Sequence, residues 1–141
     1  MSEINEHIWV GSYGDSCDEI FLTGSMITNI LSCADEFPVS TILPSYKVAI
    51  VDDVADEKTT TRFLEGAAKI NEWINNNENA IILVHCFSGM SRSVSVVITY
   101  FMVYKGWSFE AALKHLKIHR RQTRIHLDFI PILKDIENDT R

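Results

Sequence analysis

Five consecutive apolar residues, Ala80-Ile81-Ile82-Leu83-Val84, constrain the fold more than any other feature of this chain. Apolar and polar residues do not alternate there, so a strand built from them must be covered on both faces. Such strands belong to the middle of a parallel sheet with helices on either side. The segment from Thr61 supplies one such helix. Phe63, Ala67, Ile70 and Ile74 recur at spacings of 4, 3 and 4, which gathers them on one helical face. Asn75-Asn76-Asn77-Glu78-Asn79 ends that helix, with asparagine expected in the left-handed conformation of a C-terminal cap. Further strands are expected at His7-Ile8-Trp9-Val10-Gly11, at Met26 to Leu31 and at Tyr46 to Val51. Helices are expected from Ser93 to Tyr104, after a Ser108 cap, and from about Leu127 to Ile136. The class is α/β: a single central sheet, mixed but mostly parallel, flanked by helices.

A chain of 141 residues, 46% hydrophobic and 23% charged, is one ordinary globular domain, here residues 1–141. No apolar run approaches a membrane span. The start, Met1-Ser2-Glu3-Ile4-Asn5, carries neither a secretory pattern nor a myristoylation glycine, so a cytoplasmic location, or a nuclear one as well, is expected. Three unpatterned cysteines, Cys17, Cys33 and Cys86, do not resemble a disulfide framework. A net charge of −6 argues against nucleic acid as partner. If a phosphate ester is the substrate, a local positive site must attract it against the field of the whole molecule.

Such a site is written directly after the apolar run, in His85-Cys86-Phe87-Ser88-Gly89-Met90-Ser91-Arg92-Ser93. A loop between a strand and a helix delivers unpaired backbone N–H groups at a helix N-terminus, where the dipole favours anions. Five residues separate Cys86 from Arg92, enough to curl the amides of Phe87, Ser88, Gly89, Met90, Ser91 and Arg92 round a phosphate. Gly89 gives the curl its backbone freedom. Arg92 closes it with a planar fork that matches two phosphate oxygens. The same field is expected to lower the Cys86 pKa and give a thiolate nucleophile. No metal or other cofactor is called for, since the loop and the arginine supply the positive charge. A shuffled chain of this composition shows His-Cys-x5-Arg about once in a few hundred, so the strand-loop-helix setting carries most of the weight.

His85 to Ser93 resembles the His-Cys-x-x-Gly-x-Ser-Arg-Ser signature of dual-specificity phosphatases. The likeness spans nearly the whole chain. Ile8-Trp9-Val10-Gly11-Ser12 resembles their opening strand, Ile27-Thr28-Asn29-Ile30-Leu31 their second, and Val97 to Met102 the helix behind their loop. The resemblance implies a five-stranded sheet, a two-step reaction through phosphocysteine, and the small type without an N-terminal docking domain. Protonation of the leaving group needs an acid. Asp52, Asp53, Asp56 and Glu57 all lie in a suitable loop, and chemistry alone does not choose among them. The resemblance chooses Asp53, ten residues before Phe63, with Asp52 as runner-up. It also implies that Ser93 helps the thiolate leave in the second step and that His85 holds the loop from behind.

The uncharged loop residues Phe87, Ser88 and Met90 disfavour inositol lipids, and Ser91 favours the dual-specificity branch. The implied substrate is phosphorylated protein, on tyrosine and on serine or threonine. The alternatives are a phosphopeptide-binding module with little activity and a phosphatase acting on a non-protein ester, RNA or lipid. Phe87 either packs on a substrate ring or covers the rim. Lys114, Lys117, Arg120, Arg121 and Arg124 form one basic cluster, read first as a solvated helix face. Arg121 matches a family position that can contact another phosphate, a candidate second anion site. His115 and His119 are read as an exposed helix face, with no third metal ligand in view. Ile125-His126 replace the Pro-Asn of many relatives, which puts local support of the loop in question.

Overall fold

The computed structural model describes residues 1–52 and 54–140. In chain order the elements are β1 (Ser2–Glu3), β2 (Ile8–Gly11), α1 (Tyr13–Ser16), α2 (Glu19–Gly24), β3 (Asn29–Ser32), β4 (Ser45–Lys47), α3 (Thr59–Asn76), β5 (Ile82–His85), α4 (Arg92–Lys105), α5 (Phe109–His119) and α6 (Phe129–Thr140). The five strands form one sheet in the order β1-β2-β5-β3-β4. Among the described residues only β1 runs antiparallel to its neighbour.

The last strand in sequence therefore lies in the middle of the sheet. β5 pairs in parallel with β2 (Val10 opposite Val84) and with β3 (Leu31 opposite Val84). Its residues are buried on both faces, as the unbroken apolar run requires. Val10, Leu31, Ile82 and Val84 face the larger core with α3, α4 and α6, whereas Ile30 and Leu83 face a smaller one with Leu22 and Ile27. α4 is apolar almost all round and correspondingly buried from Arg92 to Met102. Phe63 of α3 meets Phe129 of α6 edge-to-face at 5.3 Å over it.

Several boundaries move for identifiable reasons. Met26 is no strand residue: it adopts φ 60°, is largely exposed, and turns the chain out of α2. β4 ends at Lys47, because Ile50 N–H closes a tight turn onto the Val48 carbonyl and leaves the ladder. Asn77 does cap α3, but in an extended conformation (φ −150°), its Oδ1 accepting from Asn79 N–H rather than the backbone turning left-handed. The left-handed cap belongs to Gly106, after α4. α1 and α2, too short to show a period, begin at Ser12 and Asp18, whose side chains accept from Asp15 N–H and Phe21 N–H.

Candidate active site

β5 ends at His85 in the middle of the sheet, and α4 begins at Arg92, so Cys86 to Ser91 bridge the carboxyl end of the central strand and a helix N-terminus. That is where open α/β sheets bind their ligands. The first backbone bond of α4 runs from Ser95 N–H to Ser91 C=O, and the amides ahead of it point out of the helix start. Gly89 takes φ 72°, the left-handed region. Its N–H donates to Cys86 Sγ at 3.3 Å, and Ser93 Oγ stands 3.3 Å from the same sulfur. Cys86 and Ser93 are both buried.

His85 is buried behind this loop, and its Nδ1 donates to the Cys86 carbonyl at 3.2 Å. Burial pushes its pKa below the usual histidine range, so the ring is neutral and holds backbone. Cys33 follows β3 as Cys86 follows β5, beyond the Ser32–His85 pair. Burial first, and Cys86 second, push the Cys33 thiol well up. Cys17 is exposed.

Arg92 is 2% exposed and makes a two-pronged contact with Glu36: Nη1 to Oε1 at 2.5 Å and Nη2 to Oε2 at 2.8 Å. Nη1 also donates to the Ile50 carbonyl at 3.1 Å, and Asp52 Oδ1 lies 3.6 Å from Nε. Asp53, the acid that the resemblance selects, lies outside the described residues. Of the other three carboxylates, Asp56 is committed to the start of α3, accepting from Lys58 N–H and the Thr59 hydroxyl. Asp52 and Glu57 are exposed. Asp52 also lines a cavity of about 510 Å³ beside the loop, together with Ser88, Met90, Ser91, Arg124 and His126.

The basic cluster divides. Lys114, Lys117, Arg121 and Arg124 are exposed, but Arg120 is buried and belongs to no solvated face. Its Nε donates to the Gly89 carbonyl at 2.7 Å and its Nη2 to the Ser88 carbonyl at 3.1 Å. Its Nη1 reaches Ser2 Oγ and the Val10 carbonyl. A sequence signal for this existed: Arg120 falls four residues after Leu116 and eight after Ala112, on the buried stripe of α5. Glu36 had no such signal, since it sits in an irregular connection after β3. Two buried guanidiniums, Arg92 and Arg120, thus lie against one loop, the first paired with Glu36 and the second with backbone carbonyls.

Two backbone N–H groups hold the loop from the segment that carries Ile125-His126. Arg124 N–H donates to the Met90 carbonyl, and His126 N–H donates to Ser91 Oγ, both at 2.9 Å. These bonds use backbone donors that any residue but proline would offer. At the rim, Phe87 is 62% exposed. Tyr13 stacks on Phe37 at 3.9 Å, and Phe37 lies 5.9 Å from Phe87. Tyr13 N–H donates to the Phe87 carbonyl, which ties this aromatic edge to the loop. His115 and His119 donate to the carbonyls of Ile4 and His115, and no cluster of metal-ligating residues occurs among the described residues.

Comparison with known proteins agrees with this geometry. The family described as "Dual specificity phosphatase, catalytic domain" matches residues 8–139. Dual specificity protein phosphatase 1B of Arabidopsis thaliana is 33% identical over 141 residues, covering 97% of this chain and 81% of that protein. Dual specificity protein phosphatase 22 of Mus musculus is 30% identical over 137 residues, covering 97% and 73%. Among solved structures, the PTP-2 phosphatase of Cydia pomonella is 25% identical, with a TM-score of 0.82 over 95% of this chain and 88% of that one. Human DUSP28, at 20% identity, shares the fold with a TM-score of 0.87 over 99% and 96%. The chain belongs to the dual-specificity phosphatase family, and its activity is that of a protein tyrosine and serine/threonine phosphatase.

Proposed function

We propose that residues 1–141 act as one catalytic domain in which Cys86 is the nucleophile, Arg92 the phosphate clamp and Asp53 the general acid and base. The observation that carries this is the setting of the Cys86 sulfur. It lies at the end of the central strand, at a helix N-terminus, with Gly89 N–H and the Ser93 hydroxyl each 3.3 Å away. Those donors and the helix dipole stabilise negative charge on sulfur.

In the first step the thiolate attacks phosphorus, an S–P bond forms, and the P–O bond to the substrate side chain breaks. The departing oxygen takes its proton from Asp53. Charge on the equatorial oxygens meets the amides of Phe87, Ser88, Gly89, Met90, Ser91 and Arg92 and the Arg92 guanidinium. In the second step Asp53 takes a proton from water as water attacks phosphorus. The S–P bond breaks, inorganic phosphate leaves, and Ser93 donates to the returning thiolate. His85 holds the Cys86 carbonyl from behind throughout.

Phosphorylated protein is the substrate class, and the aromatic rim of Phe87, Phe37 and Tyr13 offers an apolar wall to a phosphotyrosine ring. For a second phosphate on the same substrate the exposed Arg121 is the candidate anion site, and Arg124 lines the cavity beside the loop. The net charge of −6 favours a protein partner over nucleic acid, and among the described residues no helix is long and apolar enough to cross a membrane. A cytoplasmic or nuclear setting, with reduced thiols, suits a cysteine nucleophile.

The test is phosphate release in EDTA from matched phosphotyrosine, phosphothreonine, doubly phosphorylated and phosphoinositide substrates, with Cys86→Ser as the blank. Release from the peptides that vanishes in the blank is expected. No release, with peptides still bound, would mean that the loop reads phosphate without hydrolysing it.

A further inference from the structure

Arg92 has five N–H donors in one plane, and three of them are already engaged. Nη1 uses one on Glu36 Oε1 and one on the Ile50 carbonyl, and Nη2 uses one on Glu36 Oε2. The remaining pair, Nε–H and the second Nη2–H, lie along the side edge of the guanidinium, spaced to fork two oxygens of one anion. Glu36 therefore grips the end edge and leaves the side edge, where Asp52 Oδ1 stands 3.6 Å from Nε and beyond hydrogen-bond reach, to a phosphate.

We infer that Glu36 is a positioning residue for the phosphatase reaction, orienting Arg92 so that its side edge faces the phosphoryl group; this rests on the assignment of Arg92 as the clamp. The segment that carries Glu36 is itself pinned on both sides. Asp35 N–H donates to the Ile50 carbonyl at 3.1 Å, the same carbonyl that Arg92 uses. Lys47 Nζ donates to the Asp35 carbonyl at 2.8 Å. On the other side, Phe37 stacks on Tyr13, whose N–H is bonded to the Phe87 carbonyl. One short stretch thus fastens the arginine through residue 36 and the catalytic loop through residue 37. The Arg92 hydrogen bonds hold the Glu36 carboxyl below the usual carboxylate range, so it stays charged throughout the neutral region.

A guanidinium without this grip keeps its charge but loses its orientation, and fixed donors aimed at developing charge are worth more than mobile ones. The experiment compares wild type, Glu36→Gln, Glu36→Ala and Arg92→Lys for kcat and KM on a phosphotyrosine peptide, for competitive inhibition by inorganic phosphate, and for thermal unfolding. Glu36→Gln keeps the shape of the side chain and guards against a variant that does not fold. In both Glu36 variants kcat/KM is expected to fall about 10- to 100-fold, as when a group that orients a ligand-binding residue is removed. Inhibition by phosphate should weaken in parallel. A merely structural role would reduce the active fraction, and so kcat, while KM and the phosphate inhibition constant stayed at wild-type values; that result overturns the inference. Tighter phosphate binding in Glu36→Ala overturns it too, because Glu36 would then be a competitor. Wild-type activity in Arg92→Lys would sink the clamp assignment beneath it, whereas a dead Arg92→Lys beside an unchanged Glu36→Gln would sink the role of Glu36 alone.

Discussion

The Nε–H of Arg120 is bonded to the carbonyl of Gly89 across 2.7 Å, joining the end of α5 to the loop between β5 and α4. The side chain is 4% exposed and serves the Ser88 and Val10 carbonyls as well. Its value lies in satisfying backbone acceptors that the curl of the loop turns inward, away from any ladder.

Arg120→Ala should therefore destabilise the protein and disorder the loop together. Each buried acceptor left without a donor costs roughly 1–3 kcal/mol, so a loss of about 3–5 kcal/mol is expected. Arg120→Lys keeps the charge but cannot span carbonyls on both sides of the loop, and should fall between. Urea unfolding and kcat/KM on one phosphopeptide, measured on both variants, check this. An alanine variant within about 0.5 kcal/mol of wild type, the range of an ordinary surface change, would return Arg120 to the solvated face that the basic cluster first suggests.

Gly89 and Gly106 make a matched pair. Both hold φ 72°, but a Cβ on Gly89 would lie 2.5 Å from the Gly11 carbonyl oxygen and 2.6 Å from Arg120 Nη2, whereas one on Gly106 meets nothing. Gly106→Ala should cost only the left-handed penalty, about 1–2 kcal/mol, and leave kcat unchanged. Gly89→Ala adds an overlap with backbone that cannot swing aside, and should lose most activity and about 2–4 kcal/mol. Parallel thermal melts and assays separate the two. Equal losses in both would mean that φ, and not the space beneath the loop, sets the need for glycine.

What was legible in the chain follows from what periodicity and local motifs can carry. The run from Ala80 to Val84 was readable because burial on both faces removes every polar residue from a strand, and the helix from Thr59 because its buried stripe repeats. Cys86, Gly89, Arg92 and Ser93 were readable as a group because they fall within eight consecutive residues, in the loop after β5 and the first turn of α4. Glu36 reaches Arg92 from 56 residues away, and only the folded sheet brings the two together. Arg120 lay in plain view among exposed cations, on a stripe that one more step along α5 would have marked as buried. Met26 looked like strand because it is apolar, but its positive φ and exposure are set by the turn out of α2.

Acid should weaken the fold before it reaches the usual carboxylate range. Burial holds the His85 pKa below its ordinary 6.5, so the unfolded chain binds that proton first and stability falls as pH drops below about 6.5. Glu36, through its Arg92 hydrogen bonds, and Asp15, where the Ser12 backbone bond and the N-terminal charge outweigh burial, are also held low. Their contributions are full above the ordinary 4.5 and 3.8 and vanish on further acidification. Cys33 acts in the opposite sense at the alkaline end, since its raised thiol costs stability once the unfolded chain ionises above about 9. Unfolding midpoints should fall from pH 7.5 to pH 5.5, and His85→Gln should flatten that part of the curve. A midpoint unchanged between those values in the wild type would contradict the buried neutral imidazole.

Ser93 offers a test of the order of events at sulfur. Its hydroxyl is fully buried, 3.3 Å from Cys86 Sγ and one residue beyond Arg92 on α4. A hydrogen bond to sulfur helps most when sulfur is the leaving group, as phosphocysteine breaks down, because charge then returns to it. Ser93→Ala should leave the first step nearly intact and slow the second by about 10- to 100-fold, the scale of one lost hydrogen bond to a charged group. Rapid-quench measurements on a phosphotyrosine peptide would then show a burst of dephosphorylated peptide close to one per active site, followed by a slow steady state, with phosphorylated enzyme recoverable after acid. Burst and steady state slowed alike, with no phosphoenzyme, would place the hydroxyl in the first step, holding the attacking thiolate.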